Sequence, residues 1–153
     1  MHLTTYLKFL DASLERLGDA YRDVGNAHGD EPDVRILCTR LAQETDGQRQ
    51  ILADVVRGYG EEHGAEDSER PGADLFQGPR TGPIGLLHDM GDLYLLASLC
   101  HITWTLVGQA AQAARDTDLH AAATTCESTM STQLKWLRTR LKSAAPQALL
   151  MAS

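Results

Sequence analysis

The chain is expected to fold as an all-α bundle of four helices running up-down-down-up, with one long crossover between the second and third. Three observations carry this expectation. Apolar residues recur every three or four positions through four long segments. Aromatic residues make up only 5% of the chain while alanine and leucine are common, which favours helices over a β-sandwich. The connections alternate short, long, short. Short links make antiparallel hairpins, and a long one can return the chain along the whole bundle. At 153 residues the chain is one domain, 1–153, large enough to bury a core without staples.

The first helix is expected over residues 3–27, on the stripe Leu3, Leu7, Leu10, Leu14, Leu17, Tyr21 and Val24. The link AHGDE leads to the second, over 31–59, with Val34, Leu37, Leu41, Leu52, Val55 and Tyr59 on one face. Asp30 is its expected N-cap and Pro32 falls in its first turn, where a missing N–H costs nothing. Glu31 and Asp33 suit the positive end of the helix dipole.

The crossover, 60–83, is rich in glycine, proline and acid. At about 3.3 Å per residue it outreaches a helix of roughly 40 Å, so it can span the bundle. The apolar DLF at 74–76 is expected to pin it to the helices.

The third helix, over 84–115, carries Leu86, Met90, Leu93, Ala97, Cys100, Trp104, Val107 and Ala111. The link RDTD leads to the fourth, over 118–143, with Leu119, Ala123, Cys126, Met130, Gln133, Leu137 and Leu141. Lys135, Arg138, Arg140 and Lys142 in its last turns suit the negative end of the dipole, with a docking face for an acidic partner as the other reading. The tail, 144–153, is expected to leave the helix before Pro146. Leu149, Leu150 and Met151 then either fold back on the bundle, the expected outcome, or touch another chain.

Composition excludes several function classes. A net charge of −7 is wrong for a nucleic-acid surface or an anionic membrane. The N-terminus lacks the basic start, apolar core and cleavage site of a signal peptide. The most apolar window, LYLLASLCHITWTLVG, is short and interrupted by His101 and threonines, so no membrane insertion is expected. Cys38, Cys100 and Cys126 are odd in number and far apart, which reads as three reduced, buried thiols in a cytoplasmic protein. There is no glycine-rich phosphate loop, no G-x-S-x-G and no zinc-finger spacing.

One stretch breaks the apolar pattern. In LAQETDGQRQIL, residues 41–52, Glu44, Thr45 and Gln48 stand where core residues belong. Glu127 and Gln133 do the same in the fourth helix, so a polar waist of Glu44, Gln48, Glu127 and Gln133 is expected.

In helix order and loop lengths the whole chain resembles the ferritin-like superfamily of four-helix bundles. In di-iron members of such folds, two helices each give a glutamate and the other two each give Glu-x-x-His, because residues three apart project from one helix face. Here Glu44 is followed three residues on by Gly47, and Glu127 by Met130. The first helix has only Glu15 beside its stripe, and the third offers Cys100 and His101 but no glutamate. The resemblance therefore implies a bundle with a degenerate ligand pattern. Glycine has no donor, and methionine sulfur suits hard metals poorly.

Three readings of the waist stay open. Its polar heads are hydrogen-bonded or wet at the edge of the core. Or Glu44, His101 and Glu127 converge on iron, manganese, zinc or a small ligand. Or the waist is a contact between protomers, with Gln48 and Gln133 setting register.

Other candidates read as structural. His28 is expected to be a polar helix end, and His63 with Glu61 and Glu62 to be solvated. His88, Asp89 and Asp92 have the spacing of a surface trio. Cys100 and His101 diverge by about 100° on a helix and do not make a nucleophile pair, and Glu127 disfavours a Cys126 thiolate. Trp104 reads as a core anchor, and the small-residue stretch GQAAQAARD as a close-packing face for the core or a second chain. The expected function is a non-catalytic cytoplasmic protein without cofactor, acting as a homo-oligomer or accessory subunit that binds another protein. The alternative is a metal-binding protein or metal-dependent oxidoreductase.

Overall fold

The computed structural model describes residues 2–59, 72 and 74–151. Most of the crossover, with Glu61, Glu62 and His63, lies outside the described residues. The described residues form an all-α bundle of four helices without strands: α1 His2–Ala27, α2 Pro32–Val55, α3 Gly82–Ala113 and α4 Thr117–Pro146, followed by a π-helical turn, η1, Gln147–Met151.

The predicted stripes are the core. Leu7, Leu10, Leu14, Leu17, Tyr21 and Val24 of α1 meet Val34, Cys38, Leu41 and Leu52 of α2, and the α3 and α4 stripes close the other half. The helices pack as α1 on α2, α3 on α4, α1 on α3 and α2 on α4. The backbones of α1 and α4, and of α2 and α3, are the diagonal pairs. Gly108 lets α3 and α4 approach closely, since an added Cβ would sit 3.3 Å from that of Ala123. Gly108 and Ala111 of the small-residue stretch thus serve the core, while Gln109, Gln112, Ala113, Ala114 and Arg115 are exposed.

Contacts near helix ends tie the elements together. His28, just past α1, meets Asp89 near the start of α3. Arg140 in α4 meets Asp33 at 2.6 Å and Glu31 at 3.7 Å at the start of α2. Tyr59 donates to Asp116, which also caps α4 by accepting from Leu119 N–H at 3.0 Å.

Several expectations need correction. The N-cap of α2 is Glu31, not Asp30, and its side chain makes no capping bond. α2 ends at Val55 rather than 59, where two β-branched valines and Gly58 weaken helix propensity and Tyr59 is held by Asp116 instead. α4 does not stop before Pro146 but runs through it. The proline falls in the last turn, where it deletes a single backbone bond, and the wider π turn follows it. The helix therefore ends well beyond its basic residues, and Arg140 serves ion pairs with α2 rather than the α4 dipole. The tail buries Ala148, but Leu149, Leu150 and Met151 stand 64%, 81% and 74% exposed, so they do not fold back.

The described part of the crossover is fastened to α1 and α3. Phe76 is buried, as the DLF stretch predicts, and its carbonyl accepts from Arg16 of α1. Gly72 has a φ of 64°, and a Cβ there would lie 2.6 Å from Leu96 of α3, so only glycine fits both backbone and space.

Candidate functional site

The polar waist is a closed set of hydrogen bonds. Trp104 Nε1 on α3 donates to Gln48 Oε1 on α2 at 2.8 Å, and Gln48 Nε2 points at Met130 Sδ on α4 at 3.2 Å. Tyr21 Oη on α1 donates to Gln133 Oε1 on α4 at 2.8 Å, and Gln133 Nε2 donates to Glu44 Oε2 at 3.3 Å. Thr45 donates back to the Leu41 carbonyl at 2.8 Å. Two of these bonds join helices that share no backbone packing: Tyr21 to Gln133 spans one diagonal of the bundle, and Trp104 to Gln48 spans the other. Burial pushes the Tyr21 phenol well above its ordinary pKa, helped by Cys100, Cys38 and Glu44, so it stays a neutral donor. Leaving such buried groups unpaired is costly, and none of the waist's buried polar atoms lacks a partner.

The sequence-predicted site residues divide into three sets. Gln48 and Gln133 are buried inside one chain, which removes them as a contact surface between protomers. Glu44 lies at the edge of the core, held by Gln133 and by Arg40 at 3.8 Å. His101 and Glu127 face each other at 4.0 Å on the half-exposed α3–α4 side. The structure does not gather Glu44, His101 and Glu127: among the described residues no group of three His, Cys, Asp or Glu side chains could hold a metal ion. Cys38, Cys100 and Cys126 are unpaired and buried, and burial pushes each thiol up to about 12.

Sequence reasoning missed a second polar cluster. Asp89 is fully buried, not part of a surface trio with His88. Its Oδ2 accepts from Arg80 N–H at 2.9 Å and lies 2.8 Å from His28 Nε2. Its Oδ1 accepts from Arg80 Nη1 at 2.9 Å, and that same nitrogen reaches Asp92 at 3.0 Å. His28 is thus a buried partner rather than a free helix end. The cluster clamps the end of the crossover onto α1 and α3. Gly85 admits it, since a Cβ there would fall 2.9 Å from Arg80 Cβ. The signal was present: Asp89 sits three residues after Leu86 and four before Leu93, on the buried side of α3.

The outer side of α3 is different in kind. Ile84, Leu95, Ile102 and Leu106 stand 50%, 50%, 48% and 47% exposed. At 100° per residue they fall in one narrow stripe, with partly exposed Leu99 beside it. From Leu93 to Ala113 the helix holds no Asp, Glu, Lys or Arg. An ordinary surface helix is apolar on one side only, and a helix apolar all round is one that is covered all round. α3 is also the one helix among the described residues long and apolar enough, by length and composition, to cross a membrane. Here its inner face supplies core residues from Leu86 to Ala111, and Trp104 is bonded to α2.

A groove of about 600 Å³ runs between α1 and α2, lined in part by Leu7, Asp11, Arg49, Leu52 and Tyr59. Its arginine is committed to Asp11 through two bonds, at 3.0 and 3.2 Å.

No family model, no curated protein and no solved structure matches the chain.

Proposed function

We propose that the protein is a non-catalytic binding protein of the cytoplasm, a homo-oligomer or accessory subunit, which works through the outer face of α3 on a ferritin-like bundle that lacks a di-iron site. The observation that carries the reading is the line of Leu95, Ile102 and Leu106, large apolar side chains half exposed on a stretch of helix without Asp, Glu, Lys or Arg. Contiguous exposed apolar surface of this kind marks interaction sites in soluble proteins. The waist supports the same reading from inside, because its amides and phenol are used on each other. Three unpaired buried thiols suit a reducing compartment.

The up-down-down-up order is supported by the contacts near the helix ends. The end of α1 lies by the start of α3, a late turn of α4 lies by the start of α2, and Tyr59 after α2 lies by the start of α4. With α2 and α3 running the same way, the crossover has the whole length of the bundle to climb.

The test is the native mass of a tagged chain in an extract of its own cells. The wild type is expected to migrate well above the 16.7 kDa of a single chain. Leu95→Glu with Ile102→Glu is expected to return it to single-chain mass with unchanged helical content. A wild type that migrates as a single chain would refute the reading.

A further inference from the structure

Resting on the reading of α3 as a binding face, we infer that its occupant is an acidic amphipathic helix of another protein. The helix lays its apolar side on α3 and its carboxylates on a row of unpaired cations in α4. Lys135, Arg138 and Lys142 are exposed, and none of them makes an ion pair among the described residues. The chain has 21 acids to 14 bases. Arg22, Arg40, Arg49, Arg57, Arg80 and Arg140 each hold a carboxylate. Cations left without one in so acidic a chain fit a partner that brings the acid.

The row borders the apolar stripe. At 100° per residue the three cations fall within about 60° on α4, and Arg138 lies within about 20° of Glu127. Glu127 meets His101 of α3 at 4.0 Å, so the row flanks α3. The close approaches of Glu127 to His101 and of Ala123 to Gly108 fix the antiparallel register. They set Lys135 level with residues 93–96 of α3 and Lys142 level with 86–89. The acids of α3 at that level are already used: Asp89 is buried against His28 and Arg80, and Asp92 is held by Arg80. On α4 and beyond, from Ser128 to Ser153, the sequence holds no Asp or Glu. The cations thus stand beside Leu95, and Ile102 and Leu106 continue the stripe where α4 exposes Ser128 and Thr124.

Size and charge choose the occupant. From the level of Lys142 to Leu106 the strip is about 27 Å long, and two helix crests 8–10 Å apart make it about 20 Å wide. That is roughly 540 Å², short of the roughly 800 Å² that a folded partner takes in a standard interface. It matches one docked helix of about 18 residues. An anionic bilayer would also meet the rest of the molecule, whose excess acid repels it. A single helix meets only the strip.

The test uses the purified full chain and two helical peptides of about 18 residues. Both carry leucines at helical spacing along one side; one carries glutamates on the other side, and one carries lysines there. By net charge alone, a chain of −7 prefers the lysine peptide. The glutamate peptide is expected to bind about tenfold tighter instead, by fluorescence anisotropy at low salt, with the advantage shrinking as salt rises. Lys135→Glu/Arg138→Glu/Lys142→Glu is expected to reverse that order. Arg35→Glu/Arg57→Glu/Arg115→Glu, the same change of net charge elsewhere, is expected to leave it intact. Leu95→Glu/Ile102→Glu is expected to abolish binding of both peptides while keeping the helical content of the wild type. Tighter binding of the lysine peptide to the wild type, or no binding of either, would overturn the inference. So would binding to phosphatidylserine vesicles without binding to the glutamate peptide, which would make the face a lipid contact. Native mass in extract separates this inference from the reading beneath it. A larger species that survives reversal of the three α4 charges means that the binding face stands and the acidic helix is wrong. A single chain in extract removes both.

Discussion

Gln48 uses both ends of its amide inside the bundle, accepting from Trp104 and pointing its nitrogen at Met130. Replacing it with leucine removes the acceptor and leaves a buried indole N–H with nowhere to go. Gln48→Leu is expected to cost about 1–3 kcal/mol in urea unfolding, while Gln50→Leu, on the exposed side, costs far less. Adding Trp104→Phe removes the orphaned donor too, so the double variant should regain part of the loss. Strictly additive losses would mean that the bond contributes nothing.

The thiols make a separate prediction with a definite sign. Their folded pKa values are raised from 9.0 to about 12, so the native state holds protons that the unfolded chain gives up. Their contribution to stability is whole below about pH 9 and falls as pH rises from there towards about 12, by about 1.4 kcal/mol per pH unit for each thiol. Urea midpoints at pH 8, 10 and 11 measure the slope, and Cys126→Ala should flatten it. The positions of the waist were legible in the sequence because polar residues at core spacing are conspicuous. Their pairing was not. Which amide meets which phenol depends on how the helices are set around the bundle, and periodicity along one helix carries no information about that.

At the scale of elements, the crossover is held by few residues, and each is a point of failure. Asp89 serves three donors on two segments, and removing it strands the buried His28 and leaves half-exposed Arg80 with Asp92 alone. Asp89→Ala is expected to cost about 1–3 kcal/mol and to speed tryptic cleavage after Arg80 several-fold at native pH. Unchanged cleavage would mean that the clamp does not hold the loop. The α3–α4 link holds a reserve of stability in the other direction. Arg115 has a φ of 58°, a left-handed conformation that side chains resist, and Asp116 N–H reaches back to the Ala111 carbonyl at 3.0 Å to close the turn. Arg115→Gly should raise stability by about 1 kcal/mol, measured by thermal unfolding; a loss would show that the arginine side chain matters more than its backbone.

Helix positions were legible because heptad-like stripes are long and regular. The ends were harder to read. Val55, Asp30 and Pro146 were each misjudged where a tertiary contact or a π turn overrode a local preference. Asp89 was missed because a carboxylate close to His88 and Asp92 looks solvated until its partners from beyond α1 and from the crossover are known.

For the molecule as a whole, the sequence pointed to an all-α bundle with polar residues at core positions, and on that reading the waist was the place to look for function. The structure moves attention outwards. The waist braces both diagonals from within, and among the surfaces that lack an explanation in a single chain, beside the exposed tail, is the outer face of α3. That face was hidden in the sequence by its own uniformity. A stripe is most visible against a charged background, and α3 from Leu93 to Ala113 has no Asp, Glu, Lys or Arg. The most direct test is hydroxyl-radical footprinting in intact cells against dilute purified protein, following oxidation of Leu95, Leu99, Ile102 and Leu106. The account predicts several-fold protection of these four in cells, with exposed Ile36 of α2 unchanged. Equal oxidation of all four in both samples would contradict it.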